Sequence, residues 1–253
     1  MGGNDNMVKH GDDVTSSAPP QRASRRAWIG LWVLVLVYVL NFIDRNIIAI
    51  FAEDIKADLK LSDAEIGFLY GTAFGVFYAL FGVPLGKLAD NWHRVRLMAV
   101  GLSLWSAMTI FSGFSRNLAT LGVARMGVGV GEATASPAAY SLISDWFPKR
   151  QRATALAIYS SGLYLGAGVS LLIGGLLVGW WQQWFPVDPP LGLKGWQAAF
   201  IMVGLPGLLL TLFVLMLREP VRGESDGLIA PPHPAPFAAF FAELVTIIPP
   251  LTL

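Results

Sequence analysis

The charged residues of this chain lie in short clusters, and long apolar runs without any charge separate them. Residues 66–86 carry no charge, and neither do residues 153–187. Charged residues make up 14% of the 253 positions, whereas soluble domains carry about 25%. A helix needs about 20 apolar residues to cross hydrocarbon, and lipid offers no partners to backbone polar groups, so these runs must be helical. The pattern therefore predicts an all-α integral membrane protein.

Six apolar runs are long enough to span a bilayer. They predict helices at about 27–51, 64–86, 96–115, 117–145, 153–180 and 196–217. The polar residues 1–26 are expected to form a disordered tail, because they lack the apolar side chains that a core needs. Residues 27–217 then form one six-helix transmembrane domain. The polar, proline-rich residues 218–236 are expected to be a linker, and residues 237–253 begin a further apolar segment.

The distribution of Lys and Arg predicts how the spans are oriented. Twelve of these residues lie in the tail, in the connections between spans 2 and 3 and between spans 4 and 5, and after span 6, whereas the opposite connections hold four. Since basic residues are retained on the cytoplasmic side, we expect the tail, the linker and both chain ends in the cytoplasm. The expected location is a bacterial inner membrane.

Other classes of function have little support in the sequence. The net charge is +1, so nothing indicates a nucleic-acid partner. There is no cysteine, and the three histidines, His10, His93 and His233, all lie outside the predicted spans. Metalloprotease and nucleophile-elbow motifs do not occur. We therefore expect no enzyme activity, no catalytic residue and no metal site.

Glycines recur at four-residue spacing in three of the predicted spans. They are Gly67, Gly71 and Gly75 in span 2, Gly127 and Gly131 in span 4, and Gly162 and Gly166 in span 5. Such spacing places glycines on one helix face, where neighbouring backbones can approach closely. We expect tight helix packing at these faces; the alternative is that glycine is simply common in membrane helices.

Four ionisable residues lie within the spans: Asp44, Arg45, Arg125 and Glu132. Each costs several kcal/mol if it faces lipid, so all four are expected to face the bundle interior or a water-filled cavity and to pair. Helical spacing supports this, because the two charged residues of each span belong to one polar face of that helix. The face on span 1 consists of Tyr38, Asn41, Asp44 and Arg45, and the face on span 4 of Arg125, Gly129, Glu132 and Ser136.

Two interpretations of these charges are open. Burial and a neighbouring arginine shift a carboxyl pKa in opposite directions, so Asp44 and Glu132 are candidates to exchange a proton as a cavity opens to each side. Alternatively, the charges form fixed ion pairs that set helix packing. Arg45 and Arg125 are also candidates to bind an anionic substrate group, because the guanidinium matches carboxylate and phosphate geometry.

Two sequence motifs resemble those of a known transporter family. The connection Gly86-Lys-Leu-Ala-Asp90-Asn-Trp-His-Arg94-Val-Arg96 is similar to the signature loop of the major facilitator superfamily, and Leu121-Gly-Val-Ala-Arg125-Met-Gly-Val-Gly129 to its helix 4 motif. The resemblance implies that the six spans form the N-terminal half of a twelve-helix fold. It also implies a cytoplasmic gate made of Gly86, Asp90, Arg94 and Arg96. Asn91, His93 and Val95 depart from the usual motif.

A narrower resemblance is to the spinster-like branch of that family. It rests on Asn41-Phe-Ile-Asp44-Arg45, on Gly131-Glu132-Ala133, on the run from Ser144 to Leu156 and on Gly195-Trp196-Gln-Ala-Ala-Phe200. The branch implies proton-coupled movement of an amphiphile such as a lysolipid or sphingoid phosphate. The same Asp-Arg and Gly-Glu-Ala features occur in symporters of sugar acids and other organic anions, which is the alternative.

The resemblance also implies the partners. They are the lipid bilayer, a small amphiphilic or anionic solute, protons as coupling ion with no other cofactor, and a second six-helix half or a second copy of the chain. Residues 237–253 are then the start of a truncated second half. A non-transporting assembly or receptor module is the remaining alternative, and the choice between symport and antiport stays open.

Overall fold

The computed structural model describes residues 22–185, 187 and 189–227. Most of the predicted tail, the end of the predicted linker and the predicted start of a second half lie outside the described residues. The α-helices within the described part are α1 (Arg25–Ile50), α2 (Ala52–Leu59), α3 (Asp63–Gly67), α4 (Ala73–Asn91), α5 (Arg94–Ser112), α6 (Leu118–Glu132), α7 (Ala135–Trp146), α8 (Lys149–Trp184) and α9 (Gly195–Leu215). Short 3₁₀ turns lie at Pro190–Gly192 and Glu224–Asp226.

Five helical segments of the described chain are long and apolar enough to cross a membrane without interruption. They are Arg25–Ile50, Asp63–Asn91, Arg94–Ser112, Lys149–Trp181 and Gly195–Leu215, and they match predicted spans 1, 2, 3, 5 and 6. Span 2 combines α3 and α4 through a π-helical turn, Phe68–Thr72. The all-α class is confirmed.

Span 4 differs from the prediction of one continuous helix, because it consists of α6 and α7 joined by a turn at residues 133–134. The cause is Pro137, which has no N–H to donate to the carbonyl four residues earlier and whose ring crowds that carbonyl. At the break the Thr134 hydroxyl donates to the Gly131 carbonyl at 2.9 Å. The interruption lies directly after Glu132, one of the predicted functional residues.

The connection between spans 1 and 2 contains the short helix α2 and a capping box. The Ser62 hydroxyl accepts from the Glu65 N–H at 3.3 Å, and the Glu65 carboxylate accepts from the Ser62 N–H at 2.8 Å. The arrangement fixes where the helix of span 2 begins.

The six spans pack in a pattern that repeats between the two halves of the domain. Span 3 packs on span 6, span 1 on span 5, span 2 on span 4, span 3 on span 4, and span 1 on span 6. If spans 1, 2 and 3 are exchanged with spans 4, 5 and 6, the contact between spans 1 and 5 becomes the contact between spans 4 and 2. In the same way, the contact between spans 3 and 4 becomes the contact between spans 6 and 1. Such pairing is expected of two repeated three-helix units.

The predicted glycine faces have different outcomes. A Cβ on Gly131 would lie 2.7 Å from the Gly101 carbonyl oxygen, and one on Gly166 would lie 2.7 Å from the Val39 carbonyl oxygen, so tight packing is confirmed at these glycines. On Gly67, Gly71 and Gly75, by contrast, a Cβ meets nothing within 4 Å in the described chain. The prediction for span 2 is therefore wrong within this bundle, because that face points away from the other five spans.

Candidate functional site

Two ion pairs connect span 1 to span 4. The Arg45 Nε lies 2.6 Å from Glu132 Oε2, and the Arg125 Nη1 lies 3.6 Å from Asp44 Oδ1. Asp44, Arg125 and Glu132 are at most 2% exposed. Arg125 and Glu132 are seven residues apart, which is about 10 Å of helical rise, so the neighbours Asp44 and Arg45 reach partners at two levels of span 4. We call these four residues the charge quartet.

The backbone around the quartet explains how Glu132 and Arg125 are positioned. Gly129 allows α4 to approach span 4 so closely that a Cβ there would lie 2.6 Å from the Phe74 carbonyl oxygen. Gly131 allows the same approach by α5, and the helix is interrupted immediately after Glu132. Between Arg125 and Glu132, span 4 is therefore in close backbone contact with both α4 and α5.

Asp44 has a second partner on span 3. Its Oδ2 accepts a hydrogen bond from the hydroxyl of Thr109, which also lies 2.9 Å from the Trp105 carbonyl oxygen. Its Oδ1 has no hydrogen-bond partner in the described chain, and neither do Arg125 Nε and Nη1 or Glu132 Oε1. The quartet is neutral in sum, but its hydrogen-bonding capacity is only partly used. An incoming proton or anion therefore finds unused acceptors and donors there.

Aromatic rings surround the Arg45 guanidinium. Its Cζ lies 4.8 Å from the ring centres of Phe74 and Tyr78 and 5.4 Å from that of Phe42. Such cation–π contacts stabilise a cation that leaves bulk water. The Arg45 side chain nevertheless keeps 27% of its surface accessible. In this structure, Arg45 is thus the most accessible of the four charges.

The remaining predicted site residues lie around this centre. Asn41 is buried on span 1, whereas Tyr38 and Ser136 are partly exposed. The Tyr38 ring stacks on Tyr159 of span 5 at 4.6 Å, and Tyr140 of span 4 meets Tyr159 edge-on at 5.4 Å. The structure therefore joins the two predicted polar faces and adds an aromatic wall beside them.

A second charge network lies at the end of the bundle that holds the 2–3 and 4–5 connections, here called the basic end. Arg94 is 1% exposed and forms an ion pair with Asp145 of span 4. Its Nε donates to Glu219 at 2.7 Å and its Nη2 to the Pro220 carbonyl at 2.7 Å. Arg94 therefore fastens the 2–3 connection to span 4 and to the segment that follows span 6.

The other predicted gate residues do not join this network. Asp90 and Arg96 are exposed, and a Cβ on Gly86 would lie 4.0 Å from Pro137 Cβ. Arg96 follows Arg94 by two helical positions, so its side chain points to the other side of α5. Arg222 instead donates to the carbonyl of Ala89, at 2.7 Å, near the end of α4, and burial lowers the pKa of this arginine.

The family is decided by comparison with known proteins. Residues 34–248 match the Major Facilitator Superfamily. The chain belongs to this superfamily. A solved structure of a bacterial homologue of the human lysosomal transporter Spinster, inward-facing and unoccupied, is 36% identical with a TM-score of 0.74, over 79% of this chain and 45% of that one.

Relatives of known name support the same assignment. The Drosophila melanogaster protein spinster is 31% identical over 84% of this chain and 33% of its own length. A probable galactarate/D-glucarate transporter of Bacillus subtilis is 29% identical over 80% of this chain and 43% of its own length. The predicted superfamily and spinster-like branch are confirmed, and these relatives are transporters rather than enzymes. The chain spans less than half the length of the relatives it matches.

Five residues of this superfamily member were missed from the sequence. Thr109, Phe74 and Tyr78 surround the quartet, and Asp145 and Glu219 pair with Arg94. Phe74 and Tyr78 do share one helix face at four-residue spacing in a charge-free span, which is a detectable signal. The signal for Asp145 and Glu219 is their position just after an apolar run. A carboxylate at the end of a span lies near the Lys and Arg residues of the connections between spans.

Proposed function

We propose that this chain forms the N-terminal six-helix part of a proton-coupled secondary transporter. It moves an amphiphilic or anionic solute, of lysolipid or sphingoid-phosphate type, by alternating access. A second six-helix half or a second copy completes the solute cavity. The chain lies in a bacterial inner membrane, and both chain ends are on its cytoplasmic side. The observation that carries this proposal is the charge quartet, in which two buried carboxylates of different spans retain unused oxygen atoms.

The quartet suits proton coupling because a proton on either carboxylate would break a specific contact between spans. Protonation of Glu132 removes the charge that holds Arg45, and protonation of Asp44 removes the charge that faces Arg125. Each event leaves an arginine with free donors, which an anionic solute group then satisfies. Proton binding and solute binding are thereby linked through the same two arginines.

The aromatic wall fits the apolar part of an amphiphile. Phe74 and Tyr78 are partly exposed beside Arg45, Tyr38 is partly exposed on the same helix face as Arg45, and Tyr140 is exposed where its ring meets Tyr159. A phosphate or carboxylate on Arg45 places an attached alkyl chain along these rings, where burial of apolar surface contributes about 25 cal/mol per Å². This division into a charged centre and an apolar wall favours an amphiphile over a uniformly polar solute.

The proposal is tested by solute uptake into proteoliposomes that contain the complete transporter. Lysophosphatidic acid and galactarate serve as probes, with a pH gradient imposed or absent. We expect gradient-dependent movement of the lysolipid, and loss of it in an Arg45→Gln variant. If neither probe moves across the membrane in either direction, the transport proposal is contradicted.

The alternative is a proton symporter for sugar acids. It is favoured by the similarity to the probable galactarate/D-glucarate transporter and by the two arginines, since a dicarboxylate matches two guanidinium groups. Preferential galactarate uptake in the same assay would establish this alternative, with the quartet in the same coupling role.

A further inference from the structure

A second cavity lies at the end of the bundle opposite the basic end. It has a volume of about 520 Å³, which is within the range of small-molecule sites. Three chain segments line it, namely the end of α2, the connection between spans 3 and 4, and the connection between spans 5 and 6. Its charged and polar lining residues are Asp58, Ser115, Arg116, Lys194 and Gln197. We call it the opposite-end cavity.

The charges in this cavity do not cancel. Asp58 lies near the start of α9, where it forms an ion pair with Lys194 and accepts from Trp196 Nε1 at 2.8 Å. One carboxylate is thus satisfied by one ammonium group and one indole N–H. The Arg116 guanidinium has no ion-pair partner among the described residues, so the lining carries one excess positive charge. Lys194 also keeps two further N–H donors.

The backbone beside the cavity is held in an uncommon conformation. Lys60 and Leu191 have φ of 54° and 58°, and within the described chain they are the two non-glycine residues with positive φ. Of these two residues, Leu191 lines the cavity, whereas Lys60 lies outside its lining. Residues other than glycine rarely adopt this region, and such strain clusters at binding sites.

Exposed tryptophans at the same end of the bundle indicate that the cavity lies at the depth of lipid headgroups. Trp180 and Trp184 are 65% and 72% exposed near the end of α8, and exposed tryptophans mark the membrane–water interface. At the cavity itself Phe114 and Leu191 are 48% and 86% exposed. Cations within an apolar surround at this depth suit an anionic group that carries an acyl chain.

We propose that the opposite-end cavity binds a phosphate group, either of an amphiphile or as the free ion, through Arg116 and Lys194. Arginine binds phosphate with two parallel hydrogen bonds and lysine adds a point charge. This site is separate from the charge quartet and does not depend on the transport proposal.

The test measures binding to the full 253-residue chain in a neutral detergent. Its probes are lysophosphatidic acid, lysophosphatidylcholine with the same acyl chain, and inorganic phosphate. An Arg45→Gln/Glu132→Gln background removes the most accessible arginine of the quartet together with its carboxylate partner, while Arg125 stays buried beside Asp44, so that the measured phosphate binding is assigned to the cavity. In that background we expect lysophosphatidic acid to bind at least about tenfold more tightly than lysophosphatidylcholine, which is about 1.4 kcal/mol.

Variants of single residues locate the site. Arg116→Gln is expected to abolish the preference for lysophosphatidic acid, and Arg116→Lys to retain part of it. The matched control is Lys60→Gln, which removes an exposed cation at the same end outside the cavity lining and is expected to change nothing. Native mass spectrometry counts the bound lipids, and circular dichroism verifies folding.

The outcomes distinguish the free phosphate ion from the phosphate group of an amphiphile, and they decide the proposal. If inorganic phosphate displaces the lysolipid, the cavity recognises phosphate alone; if it does not, the apolar surround is required, and either result supports the site. Equal binding of the two lysolipids would overturn it. Equal weakening by Arg116→Gln and Lys60→Gln would also overturn it, because the effect would then be general surface charge.

Discussion

Asp44 and Arg45 are neighbours in sequence, yet each pairs with a different residue of span 4. The Arg45–Glu132 pair is short and lies among aromatic rings, whereas the Asp44–Arg125 pair is longer and leaves donors and acceptors unused. Breaking a buried pair by removing one partner leaves an uncompensated charge, which costs far more than removing both. The interaction between the two residues of a pair can therefore be measured from the free energies of unfolding of single and double variants.

The first prediction concerns the Asp44–Arg125 pair. Arg125→Met is expected to lower the free energy of unfolding by about 3 kcal/mol, because Asp44 is then buried with one of its charge partners gone. The double variant Asp44→Asn/Arg125→Met is expected to recover most of this loss. Unfolding of the chain in mixed micelles measures both values. Additive losses in the double variant would show that the two residues do not interact.

The second prediction concerns the hydroxyl of Thr109. Thr109→Val keeps the shape of the side chain but removes its hydrogen bond to Asp44, so a loss of about 2 kcal/mol is expected. Thr109→Ser keeps the hydroxyl and is the matched control. Unfolding midpoints of the two variants in the same detergent measure the difference. A valine variant as stable as the serine variant would exclude an energetic role for this bond.

The sequence was sufficient to predict that the four charges pair, because an unpaired ionisable group within lipid is too costly. It was not sufficient to predict Thr109 as a partner. Span 3 contains several small hydroxyl residues, among them Ser103, Ser106 and Ser112, and only the tertiary fold shows that Thr109 is the one that reaches Asp44 of α1. The shared helix face of Phe74 and Tyr78 is visible in the sequence, but only the fold shows that this face meets Arg45.

At the scale of helices, span 4 combines two features that its sequence carries separately. Pro137 interrupts the helix, and Gly131 brings the backbone of α5 into contact just before the interruption. The four-residue glycine spacing predicted such faces on three spans, but on span 2 the face is open. Spacing identifies a face of small residues, whereas the neighbour that covers it is set by the packing of the whole bundle.

The third prediction compares two glycines. Gly131→Ala places a Cβ 2.7 Å from the Gly101 carbonyl oxygen, and relief of this overlap requires backbone movement that costs about 2 kcal/mol or more. Gly71→Ala, where a Cβ meets nothing within 4 Å in the described chain, is expected to be neutral or stabilising. Thermal unfolding of the two variants gives the comparison. Equal effects would indicate that spans 3 and 4 are not in backbone contact there.

At the scale of the whole molecule, the segment after span 6 is bound back onto the basic end. Glu219 accepts from Arg94 Nε at 2.7 Å and from the Val95 N–H at 2.9 Å, and the Gly223 N–H donates to Asp145 at 2.9 Å. The family motif predicted the location of this contact and one of its residues, Arg94. It did not predict Glu219, because only the return of the chain brings that residue to the start of α5.

The fourth prediction tests this attachment. Glu219→Gln weakens the ion pair with Arg94, so amide hydrogen exchange of residues 218–227 is expected to rise by about tenfold, which corresponds to about 1.4 kcal/mol of local opening. Glu224→Gln is the control, because Glu224 pairs with Arg218 within the same segment. Unchanged exchange in the Glu219 variant would show that other contacts hold the segment.

The central claim is that the charge quartet couples protons to solute movement, and its most direct test is proton flux in proteoliposomes. The complete transporter is reconstituted with a pH-sensitive dye inside, and alkalinisation or acidification is recorded on addition of solute. We expect solute-driven proton flux in the parent and in the control Glu53→Gln, whose side chain is 87% exposed. Asp44→Asn and Glu132→Gln are expected to lose that flux. Solute-driven proton flux unchanged in both quartet variants would contradict the claim.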